Sequence, residues 1–411
     1  VYGRQVYSDG STPDAGFAIC TATGSQREPA IAYNPDAGYR DYLVVWDSGN
    51  TIQGRRINAT ATVLQDILTV SAIASYEQHA AVSAGNSRYL VAWTDFRSGY
   101  ADIKGQRLTS AGTLLGYEIG LSTGYLNQQQ PAMAYSTQQQ RWLGVWEDDR
   151  AGVRRINGQL VTREGWILGQ LIHIGTQGMG QYSPAVAYNP DDDEFMVVWA
   201  DWRTGSYDVW GQRVNAANGS LHPEFQINTD PDWQWYPAIA YNPDAGQYLV
   251  AWSDRRDDPG DGSNYNAYGR RLYADGSSID ADDFVISARE YNQENVAVAY
   301  NPVQRQYLVV WNEGSSAGLR IAGQRVRDSK PGYLEGPNFD ICTATGDQVK
   351  PSVACNTAAG EYLVVWQDRR SVSTHDVYGR RVSGTGTLLG AGDVAISIAS
   401  QNQTDPHASY D

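Results

Sequence analysis

The chain has 411 residues, of which 41% are hydrophobic and 19% charged, with 42 Gly, 27 Tyr and 13 Trp. That composition can bury large cores while spending many residues on turns, and it excludes long charge-rich disorder. A net charge of -15 without a basic patch argues against nucleic acid and anionic lipid as partners, and no apolar run is long enough to span a membrane.

In chain order, Val1-Tyr-Gly-Arg-Gln-Val6 reads as a strand, with neither an initiator Met nor a signal peptide before it, so a processed or partial chain with an export signal upstream is expected. Phe17-Ala-Ile19 reads as a second strand. From there a unit of roughly fifty residues repeats, the signature of a propeller or solenoid. Its anchor is an apolar strand ending at Trp46, Trp93, Trp146, Trp199, Trp252, Trp311 and Trp366, as in Tyr42-Leu-Val-Val-Trp46 and Tyr248-Leu-Val-Ala-Trp252.

Each unit resolves into four strands, a to d. Strand a is Pro29-Ala-Ile-Ala-Tyr33 and its relatives starting at Pro131, Pro184, Pro237, Val296 and Pro351. Turns such as Asn242-Pro-Asp-Ala-Gly246 lead into the Trp-ending strand b. Strand c is of the type Tyr378-Gly-Arg-Arg-Val382, and strand d of the type Phe284-Val-Ile286. Strand b is apolar on both faces, which requires cover on both sides, and strand a is built of small residues, which suits an innermost strand. The expected fold is all-β: one β-propeller domain over 1-411, made of four-stranded antiparallel blades.

The strand count is uneven, with eight of types c, d and a, the last being Pro406-His-Ala-Ser-Tyr410, but seven of type b. It predicts eight blades, the eighth split between the N- and C-termini, with seven blades as the alternative. The missing strand would come from residues outside the chain or from a neighbouring subunit, giving self-association through the incomplete blade.

The Pro-Ala-Ile-Ala inner strand, the Val-Val-Trp-x-Asp-x-Arg second strand and the Asp/Gly turn between c and d resemble secreted propellers of the sialidase-like, BNR-repeat type. The Asp-box of that family is degenerate, reduced to Ser8-Asp-Gly-Ser-Thr12 and Ala274-Asp-Gly-Ser277 without a following Trp. The resemblance implies the fold and a secreted or cell-surface location. It does not imply catalysis. A sialidase-like enzyme would break the repeat with an arginine cluster, a Tyr with a nearby Glu and an Asp acid/base, whereas here Arg recurs evenly.

Two polar signatures fall in the loops that share one face, the b-to-c and d-to-a connections. The first is Asp95/Arg97, Asp148/Arg150, Asp201/Arg203, Asp254/Arg256 and Asp368/Arg370, five pairs best read as structural ties because so many blades have them. Asp47-Ser-Gly49 and Glu313-Gly-Ser315 lack the Arg. The second is a Gln three residues before strand a, at Gln26, Gln128, Gln181, Gln234, Gln293, Gln348 and Gln403. Around it stand aromatics that the repeat does not require, and Tyr182, Trp233, Gln234, Trp235, Tyr236 and Tyr291 are the candidate ligand-binding set, since rings beside amides suit sugars and protein interfaces alike.

Asp257, Asp258 and Asp261, in the acidic loop Asp254–Asn264, could hold calcium, though no cofactor is required. Cys20, Cys342 and Cys355 are expected to be unpaired, and five scattered histidines do not suggest zinc. The expected function is an extracellular or surface-exposed binding or assembly module for a glycan or an extracellular protein. The alternatives are a sialidase-like glycoside hydrolase and a purely structural subunit.

Overall fold

The structure is a computed structural model that describes residues 1–7, 16–22, 26–35, 40–58, 60, 62–71, 73, 75–176, 180–257, 265–315, 318–329, 333–371, 374–398 and 402–410. Among them there is no helix long and apolar enough to cross a membrane. The chain forms two compact units, the first chiefly Ile19–Gln226 and the second Tyr2–Ala18 with Ile227–Tyr410.

Seven four-stranded sheets have the order a-b-c-d, all neighbours antiparallel. Blade 4 shows the plan with Gln181–Asn189, Glu194–Asp201, Asp208–Asn215 and Phe225–Gln226. Blades 1 to 3 occupy 27–69, 77–122 and 128–174, completing the first unit with blade 4; blades 5 to 7, at 234–287, 293–342 and 348–397, belong to the second.

The expectation of eight blades is corrected by this count. Strand b is the strand to which both a and c bind, so a blade exists only where a b strand does. The N-terminal segments form a two-stranded sheet, Tyr2–Gly3 against Phe17–Ala18. Residues 402–410 contain no strand. They nevertheless begin like strand a, since Gln403 N–H donates to the His375 carbonyl at 2.7 Å as Gln128 N–H does to Ala101. That local likeness is what the repeat count registered, and without a partner it builds no sheet.

The repeat motifs have plain packing causes. All seven Trp residues of strand b are fully buried. Within each unit the apolar cores lie between successive blades: Leu143 and Val145 of blade 3 pack with Phe195, Val197 and Trp199 of blade 4, and Leu249 and Ala251 of blade 5 with Tyr307, Val309 and Trp311 of blade 6. In blades 2, 3 and 6 such face-to-face packing covers strand b on both sides. Strand c carries Gly where a strand-d side chain presses on it. A Cβ at Gly158 would stand 2.9 Å from Ile174 Cδ1, and one at Gly269 2.8 Å from Ile286 Cδ1.

Strand a begins with a bulge in every blade. Pairing with strand b skips two residues, between Gln129 and Ala132 in blade 3 and between Tyr182 and Ala185 in blade 4. Proline supplies part of the reason, because Pro131 and Pro184 have no N–H to give the ladder. The residue at the bulge, just before that proline or the Ala80 or Val296 in its place, is left-handed: φ is +48° at Glu28, +53° at His79, +56° at Gln130 and +53° at Ser183 in the first unit. Tyr236, Asn295 and Lys350 repeat this in the second, at +51°, +54° and +52°. For a non-glycine residue this conformation costs roughly 1 kcal/mol.

Candidate functional site

The upper edge of each blade is the end where strand a begins and strand b ends, and it carries the b-to-c and d-to-a loops. The two loops are joined by a backbone bond: Phe96 N–H to Tyr76 O at 3.1 Å, Trp202 N–H to Gly180 O at 3.0 Å, Arg255 N–H to Trp233 O at 2.9 Å. Side chains at these positions are neighbours by construction.

Beneath this edge lie the Asp and Arg residues. Asp201 is fully buried and accepts from Trp199 Nε1 at 2.9 Å, Arg203 N at 2.9 Å, Arg203 Nη2 at 2.6 Å and Gln181 Nε2 at 2.7 Å. Arg203 then reaches Glu224 near strand d at 2.7 Å and lies 3.8 Å above the Trp210 ring of strand c. Arg256 repeats this between Asp254 and Asp283 over Tyr268, and Arg370 between Asp368 and Asp393 over Tyr378. In blade 2, Arg97 joins Asp95 to Glu118, and in blade 3 Arg150 pairs with Asp148.

Blade 6 lacks the Arg of the motif and obtains the charge elsewhere. Glu313 accepts from Trp311 Nε1 at 2.7 Å and is held by Arg289 from the d-to-a loop and Arg320 from strand c, both at 2.8 Å. Both arginines also reach Asp340. In blade 1 Ser48 takes the place of the acid, and Trp46 Nε1 has no partner among the described residues.

Blade 2 departs in another way, with Glu77 where blades 3 to 7 begin strand a with Gln. Glu77 and Asp95 are both fully buried. Burial first, offset in part by Ser71, and then the facing Asp95 push Glu77 up to about 7. Burial acts on Asp95 in the same sense, but hydrogen bonds from Arg97 outweigh it and hold Asp95 below the ordinary carboxylate range. Carboxyls split this way are the pattern of an acid/base pair. Arg97 and the surrounding backbone enclose both, so neither faces a substrate.

Above the ties, aromatic rings gather on the upper edge of the first unit. Tyr76 packs on Phe96 at 5.3 Å, Tyr100 on Tyr125 at 5.8 Å and Tyr182 on Tyr207 at 5.6 Å, with Trp202 4.5 Å from Tyr207. Tyr125 is 81% exposed and Tyr76 51% exposed. Arg154 lies over Tyr182 at 5.0 Å, bonded to Glu147 at 2.9 Å and Asp149 at 2.8 Å. Burial, then the Tyr182 hydroxyl, push the Tyr207 phenol up to about 12. Glu147 is 2% exposed and also accepts from Ser183 N–H at 2.9 Å, which fixes it in the wall.

In the second unit the candidate set divides. Tyr236 is exposed and packs on the half-buried Trp235 at 5.8 Å. Trp233 is at the margin of exposure with Arg255 5.4 Å over its ring, and Tyr291 is exposed. Gln234 is fully buried and donates to the Asp232 carbonyl at 2.6 Å, so it faces the loop backbone rather than solvent. The candidate set did not include Phe96, Tyr100, Trp202, Tyr207 or Arg154. Their signal lies in departures from the repeat at fixed positions after the strand-b Trp and before strand c, in the b-to-c loops rather than the d-to-a loops that supplied the candidates.

Of the acidic-loop candidates, Asp257 accepts from Asn266 Nδ2 and Tyr268 OH, each at 2.7 Å, while Asp258 and Asp261 lie outside the described residues. Among the described residues no three His, Cys, Asp or Glu side chains gather as a metal site. Cys20, Cys342 and Cys355 are free thiols.

No family model matches the sequence, and no curated protein matches it. Solved structures that it resembles include the Dos1 propeller, with a TM-score of 0.56 and 11% identity over 90% of this chain and 84% of that one. Another is an α-L-arabinofuranosidase from Fusarium graminearum in complex with an iminosugar inhibitor, with a TM-score of 0.51 and 8% identity over 87% of this chain and 93% of that one. At such identities the likeness shows the fold, a β-propeller.

Proposed function

We propose that this chain is an extracellular or cell-surface propeller that binds glycans through the upper edge of its blades. The observation that carries the reading is the series of ring pairs in the first unit, Tyr76/Phe96, Tyr100/Tyr125 and Tyr182/Tyr207, on loops whose backbone is tied in place. Aromatic faces stack on the apolar faces of sugar rings, and preset loops lower the entropy lost on binding.

Relation to secreted sialidase-like propellers is part of this proposal. The c-to-d turn of blade 5 supports it, where Asp275 Oδ1 accepts from Ser277 N–H at 2.8 Å and Gly276 is left-handed, as a worn Asp-box would. Binding is favoured over hydrolysis because the acids nearest the rings are engaged: Glu147 by Ser183, Arg154 and Gln129, and Asp149 by Arg154.

A printed glycan array combined with fluorogenic glycosides, including a sialoside and an α-L-arabinofuranoside, tests the reading. Binding without turnover is expected. Turnover of any glycoside would establish the hydrolase alternative, and silence in both arms would overturn the glycan reading.

A further inference from the structure

Resting on the glycan reading, we infer that His79, Gln130 and Ser183, the left-handed residues opening strand a of blades 2, 3 and 4, are the polar groups that select the ligand beside the ring pairs. The bend they occupy is fixed while the side chain is not. All seven blades keep the left-handed backbone at this point, yet the residues are Glu28, His79, Gln130 and Ser183 in one unit and Tyr236, Asn295 and Lys350 in the other. Glycine would adopt the bend without strain, and none of the seven is glycine. Glu28 and Asn295 use their side chains within the scaffold, accepting from His79 N–H and donating to Asn312 Oδ1 at 2.8 Å, while the side chains of Gln130 and Ser183 make no such bond among the described residues.

The backbone at the bend is already satisfied from outside. Gln130 N–H donates to Thr94 Oγ1 at 3.3 Å and Ser183 N–H to Glu147 Oε1 at 2.9 Å, each acceptor standing just after the strand-b Trp of the preceding blade. His79 N–H donates to Glu28 Oε2 at 2.7 Å. The acceptors hold the bend through the backbone, so the side chains of Gln130 and Ser183 are not needed for it, and the His79 imidazole adds only a 3.7 Å approach of Nε2 to Glu28 Oε1. All three open the strand at the end that bears the rings: His79 is three residues beyond Tyr76, Ser183 follows Tyr182, and Gln130 is two beyond Gln128, whose N–H donates to the Ala101 carbonyl next to Tyr100. Each ring pair therefore shares its blade edge with a polar residue, one imidazole, one amide and one hydroxyl, three chemistries suited to different hydroxyl patterns. Strained residues held by their surroundings are characteristic of sites that must be preorganised.

Glycine substitution separates the two roles. His79→Gly, Gln130→Gly and Ser183→Gly, singly and together, would be compared with the parent by thermal melting, by the printed glycan array and by titration of the oligosaccharide that binds the parent best. Gln140→Gly serves as control, since Gln140 is also left-handed, at +54°, but lies in the a-to-b turn at the opposite end of blade 3. The expected result is a melting temperature unchanged or raised in all variants, with at least tenfold weaker binding in the triple variant and full binding in the control. Asparagine at the same three positions, which tolerates the bend, guards against loss through misfolding and is expected to alter the array profile. Unchanged affinity and profile in both the glycine and asparagine sets would overturn the inference while leaving glycan binding intact. A parent that binds nothing on the array would remove the glycan reading and this inference with it.

Discussion

Blades 4 and 6 reach the same arrangement from different residues. In blade 4 the guanidinium between the acid ending strand b and the acid near strand d is Arg203, two residues beyond Asp201. In blade 6 that place is taken by Arg289 from the d-to-a loop and Arg320 from strand c, which hold Glu313 and Asp340. What blades 2, 4, 5, 6 and 7 keep is thus a cation bridging two acids, whichever residue brings it. Among the bulge residues of the same edge, Glu28 makes such a replacement, accepting from His79 N–H as Thr94 and Glu147 accept in the next two blades, whereas Gln130, Ser183 and the ring pairs differ between blades without a compensating change among the described residues. Compensation marks a structural requirement, and its absence marks residues released from that requirement for another task.

The largest effect that would break this comparison is loss of the central acid. Asp201→Ala strands the Trp199 indole N–H, Gln181 Nε2 and Arg203 beneath the surface, and removing one partner of a buried pair costs about 3–5 kcal/mol. Denaturant unfolding should show that loss for Asp201→Ala and a similar one for Glu313→Ala. A stable Glu313→Ala variant would mean that blade 6 has no tie equivalent to that of blade 4.

Blade 2 offers a pH test of the same architecture. Glu77 has an ordinary value of 4.5 and is raised to about 7 in the folded chain. Folding therefore favours the protonated acid, so its contribution is fully present below pH 4.5 and is lost as pH rises through 7, by up to about 3 kcal/mol. Glu77→Gln, which restores the residue of blades 3 to 7, should flatten the stability profile over that window. An unchanged slope would show that Glu77 ionises normally.

Much of this architecture is legible in the sequence. The Trp-ending strands located every blade because burial on both faces leaves a continuous apolar run, and the Asp-x-Arg tripeptides stood out by repetition. Blade number was misjudged because the segments around Phe17 and Pro406 carry the local motifs of strands d and a, and local motifs do not show whether a partner strand exists. Arg289 and Arg320 could not be assigned to Glu313, since one lies 24 residues before it and only the fold brings them together. The left-handed bend was half visible, as Pro131 and Pro184 mark it, but Ala80 and Val296 follow the same bend without proline. Gln234 was placed among ligand-binding residues because the sequence shows its aromatic neighbours but not its burial.

Smaller effects refine the comparison. Arg320→Ala should cost no more than about 1 kcal/mol, because Arg289 still holds Glu313 and the Arg320 side chain is 37% exposed. Trp199→Phe should cost about 1 kcal/mol more than Trp46→Phe, because Trp199 Nε1 donates to Asp201 while Trp46 Nε1 has no partner among the described residues. Equal losses in the two Trp variants would mean that the indole bond adds nothing beyond ring packing.

The division between scaffold and binding edge is tested most directly within blade 4, by measuring melting and glycan affinity together for Arg203→Ala and Tyr207→Ala. Arg203 holds Asp201 and Glu224 under the edge, whereas Tyr207 packs on Tyr182 and Trp202 at its surface. The account predicts a clear loss of stability with binding retained for Arg203→Ala, and at least tenfold weaker binding with little change in melting for Tyr207→Ala. Binding lost without destabilisation in Arg203→Ala, together with full binding in Tyr207→Ala, would contradict it.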